Sequence, residues 1–306
     1  MYRLVLCDMD MTLLGVGEEH VSKAALDAFR SLRNLGVHVG ACSGRGLSDL
    51  RRQFCGEAWC LDVAVASNGC IVRAEGQTIA THELSRAEVE RAVELVSPVE
   101  GAFLVVGREG PGAVVGASLE VARAHYDMWR GFNLEESPSV PEVPLLKVNL
   151  ALPREDPELG AQLVAQLRLA CPSIEFCVLG YGGADMMPVG VSKATGLREL
   201  MAHLGIADNE VLVFGDSAND VEVMREVPGS VAVANATEQV RELARHHIGP
   251  CTEDAVAQAL TELALAMHEG REPQWMRPEA EAAALRRALT DETVSAAYVQ
   301  SLFRRR

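Results

Sequence analysis

The sequence predicts an α/β fold: a core built on a parallel sheet, with a separate α+β segment inserted into it. Three observations carry this. Short apolar runs alternate with amphipathic helical spacing at the start of the chain, that pattern breaks near Leu84 and resumes at Lys193, and 306 residues exceed the usual size of one domain. The expected boundaries are 1–82 and 188–265 for the core, 83–187 for the insert and 266–306 for a helical C-terminal extension.

Leu4 to Cys7 read as a buried strand that delivers Asp8, Asp10 and Thr12 to its carboxyl end. Residues 21–35 follow with helical spacing (Val21, Ala25, Ala28, Phe29, Leu32), Ser22 near the start and Gly36 as the stop. Residues 37–42 are a second buried strand ending at Ser43-Gly44-Arg45, so strand, helix and strand fall within about forty residues, a βαβ unit with a right-handed crossover. A helix over 47–54 leads to a third strand, 63–66, and to the turn signal Asn68-Gly69; 70–74 and 78–81 pair as a hairpin across Glu75-Gly76.

The insert has another rhythm, with helices at 86–96, 119–129 and 158–170 and short strands at 103–106, 113–116, 147–152, 175–179 and 185–187. The parallel pattern then resumes: a helix at 193–204, a strand at 211–214 ending in Gly215-Asp216-Ser217-Ala218-Asn219-Asp220, and a strand at 231–234 ending in Asn235-Ala236. A last short strand, 246–248, and a helix, 255–267, complete the core.

Asp8 and Asp10 stand two apart on an extended segment and can face one pocket, and two such charges repel unless one pKa rises or a cation lies between them. A carboxylate pair can then divide the work of ligand, nucleophile and proton carrier; turn-forming Asp residues at a strand end are the other reading of this stretch. The strand ends at Asp8/Asp10, Ser43, Asn68 and Asp216/Asp220 all open on one edge of a parallel sheet, the edge where ligands bind in open α/β folds.

Composition excludes several classes. A formal charge of −15 disfavours nucleic acid, which needs clustered Lys and Arg, while a small phosphorylated ligand needs only a local cationic site. Apolar residues make up 48% of the chain, ample for a core, yet no stretch approaches a membrane span and no signal peptide is visible. The eight cysteines form no C-x-x-C pair and read as reduced, buried and cytoplasmic. His246-His247 reads as a surface pair, since the histidines form no metal-binding spacing.

Taken in order, Asp8-Met9-Asp10-Met11-Thr12, Ser43-Gly44-Arg45, Asn68-Gly69, Met187-Pro188-Val189-Gly190-Val191-Ser192-Lys193 and Gly215-Asp216-Ser217-Ala218-Asn219-Asp220 resemble a haloacid dehalogenase superfamily phosphatase. The likeness is to the Cof-type group, subfamily IIB, and covers about residues 1–265. It implies a Rossmann-like core with an α/β cap inserted after the third core strand. The resemblance makes Asp8 the nucleophile that becomes an aspartyl-phosphate, and Asp10 the acid that protonates the leaving alcohol and then activates water. Mg2+ is implied on the carboxylates of Asp8 and Asp216 and the backbone carbonyl of Asp10. Ser43, through hydroxyl and N–H, Gly44 and Lys193 are implied phosphate contacts; Asp220, Asn219 and Thr12 stand behind them. Ser43 as a helix N-cap and Lys193 as a solvated helix residue are the structural alternatives, and Arg45 and Asn68 are balanced between substrate contact and structure.

Met11 and Ala194 replace glycines common in the family, and Ser43 replaces a threonine while keeping the hydroxyl. The cap is implied to select substrate and exclude water, with Lys147 and Tyr181-Gly182-Gly183 open as pocket or surface residues and Tyr126, Met128 and Trp129 read as helix core. The extension, with its terminal Arg304-Arg305-Arg306, packs on the core, covers a neighbour in a homodimer or stays mobile. The implied activity is a Mg2+-dependent phosphatase acting on a small cytoplasmic phosphometabolite, a sugar phosphate foremost, in a monomer or homodimer. A phosphohexomutase-like phosphotransferase and a catalytically silent ligand-binding protein are the rivals.

Overall fold

The structure, a computed structural model, describes residues 1–107, 111–125, 134–146, 148–153, 156–179 and 182–277. The chain forms two units, one of residues Met1–Ala80 and Ser192 onward, the other Thr81–Val191.

In the first unit β1 (Leu4–Cys7), α1 (Lys23–Asn34), β2 (His38–Cys42), α2 (Leu47–Gln53) and β3 (Val63–Ala66) succeed one another, followed by β4 (Ile71–Ala74) and β5 (Gln77–Thr81). The second unit holds α3 (Arg86–Val96), β6 (Phe103–Val106), β7 (Gly112–Val115), α4 (Leu119–His125), β8 (Leu134–Glu136), β9 (Val148–Ala151), α5 (Pro157–Ala170), β10 (Ile174–Leu179) and β11 (Gly183–Pro188). The first unit resumes with α6 (Lys193–Leu204), β12 (Val211–Gly215), α7 (Val221–Glu226), β13 (Ser230–Ala232), α8 (Glu238–Leu243), β14 (His246–His247) and α9 (Ala255–Glu269).

The core sheet runs β14-β13-β12-β1-β2-β3-β4-β5, with β14 through β3 parallel and β4 antiparallel to β3. β1 sits between β12 and β2, its Cys7 in register with Phe214 and Ala41. Apolar residues on both faces explain the continuous runs in sequence. Leu4, Leu6, Val63, Val65, Val211 and Val213 pack with Leu197 and Leu200 of α6, while the alternate residues Val5, Val39, Ala41, Leu212 and Phe214 are equally buried. Burying a side chain such as Phe214 contributes about 1.5–3 kcal/mol. α1 packs on α9, and their N-terminal turns are joined where the Ser22 hydroxyl, itself the cap for Ala25 N–H, donates to Asp254 at 2.7 Å.

The second unit's sheet runs β10-β11-β9-β6-β7-β8, antiparallel except for β7 with β8. Leu104, Val115, Leu150 and Met186 on one face pack with Val89 and Ala92 of α3 and Leu163 and Leu167 of α5. Phe103, Val105 and Val114 on the other pack with Ala122 of α4.

Several expectations are corrected. α7, α8 and β8 were not anticipated because six residues, or three, are too few to show a period. His246 is not a surface residue: it is 9% exposed and meets the Trp275 ring edge-on at 5.9 Å, with the His247 ring bonded to the Arg241 carbonyl at 2.8 Å. The described cysteines are free, but Cys55, in the turn after α2 with φ +56°, is exposed, and Cys177, within the edge strand β10, is half-buried. The first part of the extension packs on the core, where Trp275 donates to Ala259 O at 3.0 Å and its ring, tilted at 54°, lies 6.1 Å from that of Phe214. Residues 278–306, Lys147, Tyr181, Tyr126, Met128 and Trp129 lie outside the described residues.

Candidate active site

The carboxyl edge of the core sheet is where polar residues are buried. Asp8 continues β1, its N–H bonded to Phe214 O at 2.9 Å, and Ser43 continues β2, its N–H bonded to Val65 O at 2.8 Å. Asp216 follows β12 and Ser67 follows β3. The parallel register thus brings four strand ends level, and Asp8 (4% exposed), Ser43, Asn68, Asp216 and Asp220 are all buried there.

Lys193 joins them as the first residue of α6. Ser192 caps that helix by accepting from Thr195 N–H while its own N–H donates to Thr195 Oγ1, which fixes where α6 begins. The helix start is pressed against β3's exit: a Cβ on Gly69, whose φ is +101°, would lie 2.1 Å from the Ser192 carbonyl oxygen. Only glycine fits, and the fit holds Lys193 in place. Its ammonium lies 2.8 Å from Asp8 Oδ1 and 2.7 Å from Asp220 Oδ1.

Asp220 is fully committed, since its Oδ2 accepts from the N–H groups of Asp216 at 3.1 Å and Ser217 at 3.2 Å. It shapes the loop and anchors Lys193. Asp216 Oδ1 accepts from the Thr12 hydroxyl at 3.0 Å. Asp10 points elsewhere: half its side chain is exposed, and both oxygens take Arg45 Nε and Nη2 at 2.6 Å. That bidentate pair gives Arg45 a positioning contact and keeps its guanidinium charged; burial would lower its pKa, and the Asp10 bond outweighs it.

Electrostatics follow from burial. Desolvation pushes the Asp8 carboxyl up to about 6, against the pull of Lys193, and raises Asp216 in the same direction with Asp8 and Asp220 adding to it. For Lys193 burial would lower the pKa, but Asp220 and Asp8 prevail and hold it charged. Three buried carboxylates face one buried ammonium. Carboxylate oxygens of Asp8, Asp216 and Asp220 lie within 4.8 Å of one another, an excess of hard negative oxygen that suits a divalent cation. With Asp220 bonded on both oxygens, Asp8 and Asp216 are the two that fit as ligands.

Of the residues expected from sequence, Asp8, Lys193, Asp216 and Asp220 converge and Thr12 joins them through Asp216, whereas the Asp10 side chain turns to Arg45. Gly46, not Ser43, is the N-cap of α2; Ser43's hydroxyl accepts from Arg45 N–H at 3.2 Å, and its own N–H, expected to bind phosphate, is taken by Val65. Asn219, expected with Asp220 to orient either the water shell of a metal or Lys193, donates to Asn68 Oδ1 at 3.0 Å and accepts from the Ser217 hydroxyl at 2.9 Å. Asn68, with φ +55°, thus ties the β3 exit to the Asp216 loop, and a Cβ on Gly44 would come within 2.9 Å of its Oδ1.

Two residues carry no signal in the sequence. Ser67 has φ +50° and a buried hydroxyl with no hydrogen-bond partner among the described residues. Asn235, in the loop after β13, donates to Met11 O at 2.7 Å and accepts from Cys251 N–H at 2.9 Å. In sequence both read as ordinary turn residues.

A family model described as haloacid dehalogenase-like hydrolase matches residues 5–260. An HMP-PP phosphatase of Serratia proteamaculans (strain 568) is 28% identical over 263 residues, spanning 85% of this chain and 94% of that protein. The 5-amino-6-(5-phospho-D-ribitylamino)uracil phosphatase YbjI of Escherichia coli (strain K12) is 29% identical over 260 residues, 83% of this chain and 93% of that one. Among solved structures, SMU.1108c from Streptococcus mutans UA159 has TM-score 0.74 at 19% identity over 87% of this chain and all of that one. The HAD subclass IIB sugar phosphatase BT4131 has TM-score 0.69 at 18% identity over 88% of this chain and 99% of its own. At those identities the two structures speak to the fold. The family match and the named relatives, spread over nearly the whole sheet-and-insert arrangement, place the chain among the haloacid dehalogenase-like hydrolases, as a phosphoric monoester hydrolase of that superfamily.

Proposed function

We propose that the protein is a Mg2+-dependent phosphatase that releases phosphate from a small cytoplasmic phosphometabolite, a sugar phosphate foremost, through an aspartyl-phosphate on Asp8. The observation that carries this is the buried contact of Asp8 Oδ1 with Lys193 Nζ at 2.8 Å, with Asp216 beside it and Asp10 two residues on. A nucleophilic carboxylate needs that company, because an anion must otherwise approach an anion.

Asp8 attacks phosphorus as the bond to the leaving oxygen breaks, and Asp10 gives that oxygen its proton. Lys193 balances charge on the phosphoryl oxygens, and the Ser43 hydroxyl donates to one of them. Asp10, now a base, takes a proton from water; the water oxygen bonds phosphorus, and Asp8 leaves as carboxylate. Held by Asp8 and Asp216, Mg2+ would neutralise the charge gathered between nucleophile and phosphate. Asp10 is paired with Arg45 at rest, so the leaving group takes Arg45's place when substrate binds. Residues 83–187 act as the cap that sets substrate choice, and 1–82 with 188–265 as the catalytic core.

The test is phosphate release from sugar phosphates, HMP-PP, 5-amino-6-(5-phospho-D-ribitylamino)uracil, nucleotides and pyridoxal phosphate, with Mg2+ or with EDTA. Release is expected only with the metal and falls about a thousandfold or more in Asp8→Asn. Metal-independent release, or an active Asp8→Asn, would refute the reading.

A further inference from the structure

The loop that carries Asp10 and Thr12 is wound around one carbonyl. Met9 O accepts from the N–H groups of Thr12 at 3.3 Å, Leu13 at 3.0 Å and Leu14 at 2.8 Å, and to close this turn Met11 adopts φ +61°. A long side chain occupies that left-handed region only where its surroundings enforce it. A neighbouring side chain does so here. Asn235 donates its Nδ2–H to Met11 O at 2.7 Å, and its own Oδ1 is fixed by Cys251 N–H at 2.9 Å. Two residues further, Thr237 N–H donates to Asp216 O at 2.8 Å, so one connection after β13 grips the loops bearing Asp10 and Asp216 alike.

We propose that Asn235 is a positioning residue: by holding the Met11 carbonyl it fixes the left-handed turn that seats the Thr12 hydroxyl on Asp216 and sets the backbone from which Asp10 reaches Arg45 at rest. Its consequence for turnover rests on the phosphatase reading; the clamp itself does not. Glycine at position 11 would hold positive φ without help, whereas methionine needs a tether. The tether and the residue type are therefore coupled.

The test follows amide hydrogen exchange at Thr12, Leu13 and Leu14 in the full chain, without substrate. Asn235→Ala is expected to raise exchange at these three amides about tenfold, the loss of roughly one hydrogen bond. Combining it with Met11→Gly returns them to within about threefold of wild type. Asn235→Asp keeps the acceptor for Cys251 and loses the donor to Met11, so it must behave as Asn235→Ala does. In turnover, kcat falls in Asn235→Ala with KM little changed, and the double variant recovers it. Unchanged protection in Asn235→Ala or Asn235→Asp, or a double variant that exchanges as fast as Asn235→Ala, would overturn the clamp. A wild type that releases no phosphate from any substrate would overturn the phosphatase reading, while the exchange rates would still decide the clamp.

Discussion

Lys193 is 1% exposed and touches two carboxylates, so its worth is mostly the cost of its absence. Lys193→Met leaves Asp8 and Asp220 buried without their cation, and the expected loss is about 3–5 kcal/mol in urea unfolding, with turnover abolished. A loss under about 1 kcal/mol would mean that the pair relaxes into water. Asp8, Asp216 and Lys193 were legible in the sequence because buried strands and helix starts have no structural need of such charges, and the order of the motifs removed the rest of the ambiguity. Asn235 and Ser67 were not. Each is a small polar residue at a strand exit, where turn chemistry alone explains it, and only the path of the Met11 carbonyl or the φ of +50° shows otherwise.

At the scale of the element, α6 is the part most dependent on its ends. Its capping box and the Gly69 contact set the height of Lys193 above the sheet, so Ser192→Ala is expected to cost about 1 kcal/mol and to lower kcat beyond what stability explains. Paired thermal melts and rates check it; a change in melting alone would confine the cap to stability. Strong signals made α3 and α6 readable to the residue, since a Ser precedes each and a full period follows. α7 and α8 have six residues apiece and are held by their neighbours rather than by their own pattern. Lys147 and Tyr181, open from sequence as pocket or surface residues, fall outside the described residues, so which of the two they are was legible in neither sequence nor fold.

For the whole molecule the buried acids link stability to pH. Asp8 has its pKa raised from 3.8 to about 6 by burial, so the folded state holds its proton more tightly than the unfolded chain. That contribution is fully present below about pH 3.8 and is lost as pH rises through about 6; Asp216, raised likewise, acts in the same sense. In EDTA, Asp8→Asn should therefore gain melting temperature relative to wild type between about pH 4 and 6.5, and Mg2+ should close that gap by stabilising wild type. A gap that is flat with pH would show that Asp8 is solvated. The position of β1 has a further consequence, for synthesis. β1 pairs early with β2 but takes its other neighbour, β12, from roughly 200 residues later, about 10–40 s on at ribosomal speeds. Until then the nascent chain carries an apolar strand with one open edge, Leu4 to Cys7, and an Asp8 N–H awaiting Phe214. Cells that pause within the insert thus hold a half-sheet, and chaperone capture of chains stopped before residue 211 is where that exposure would be seen.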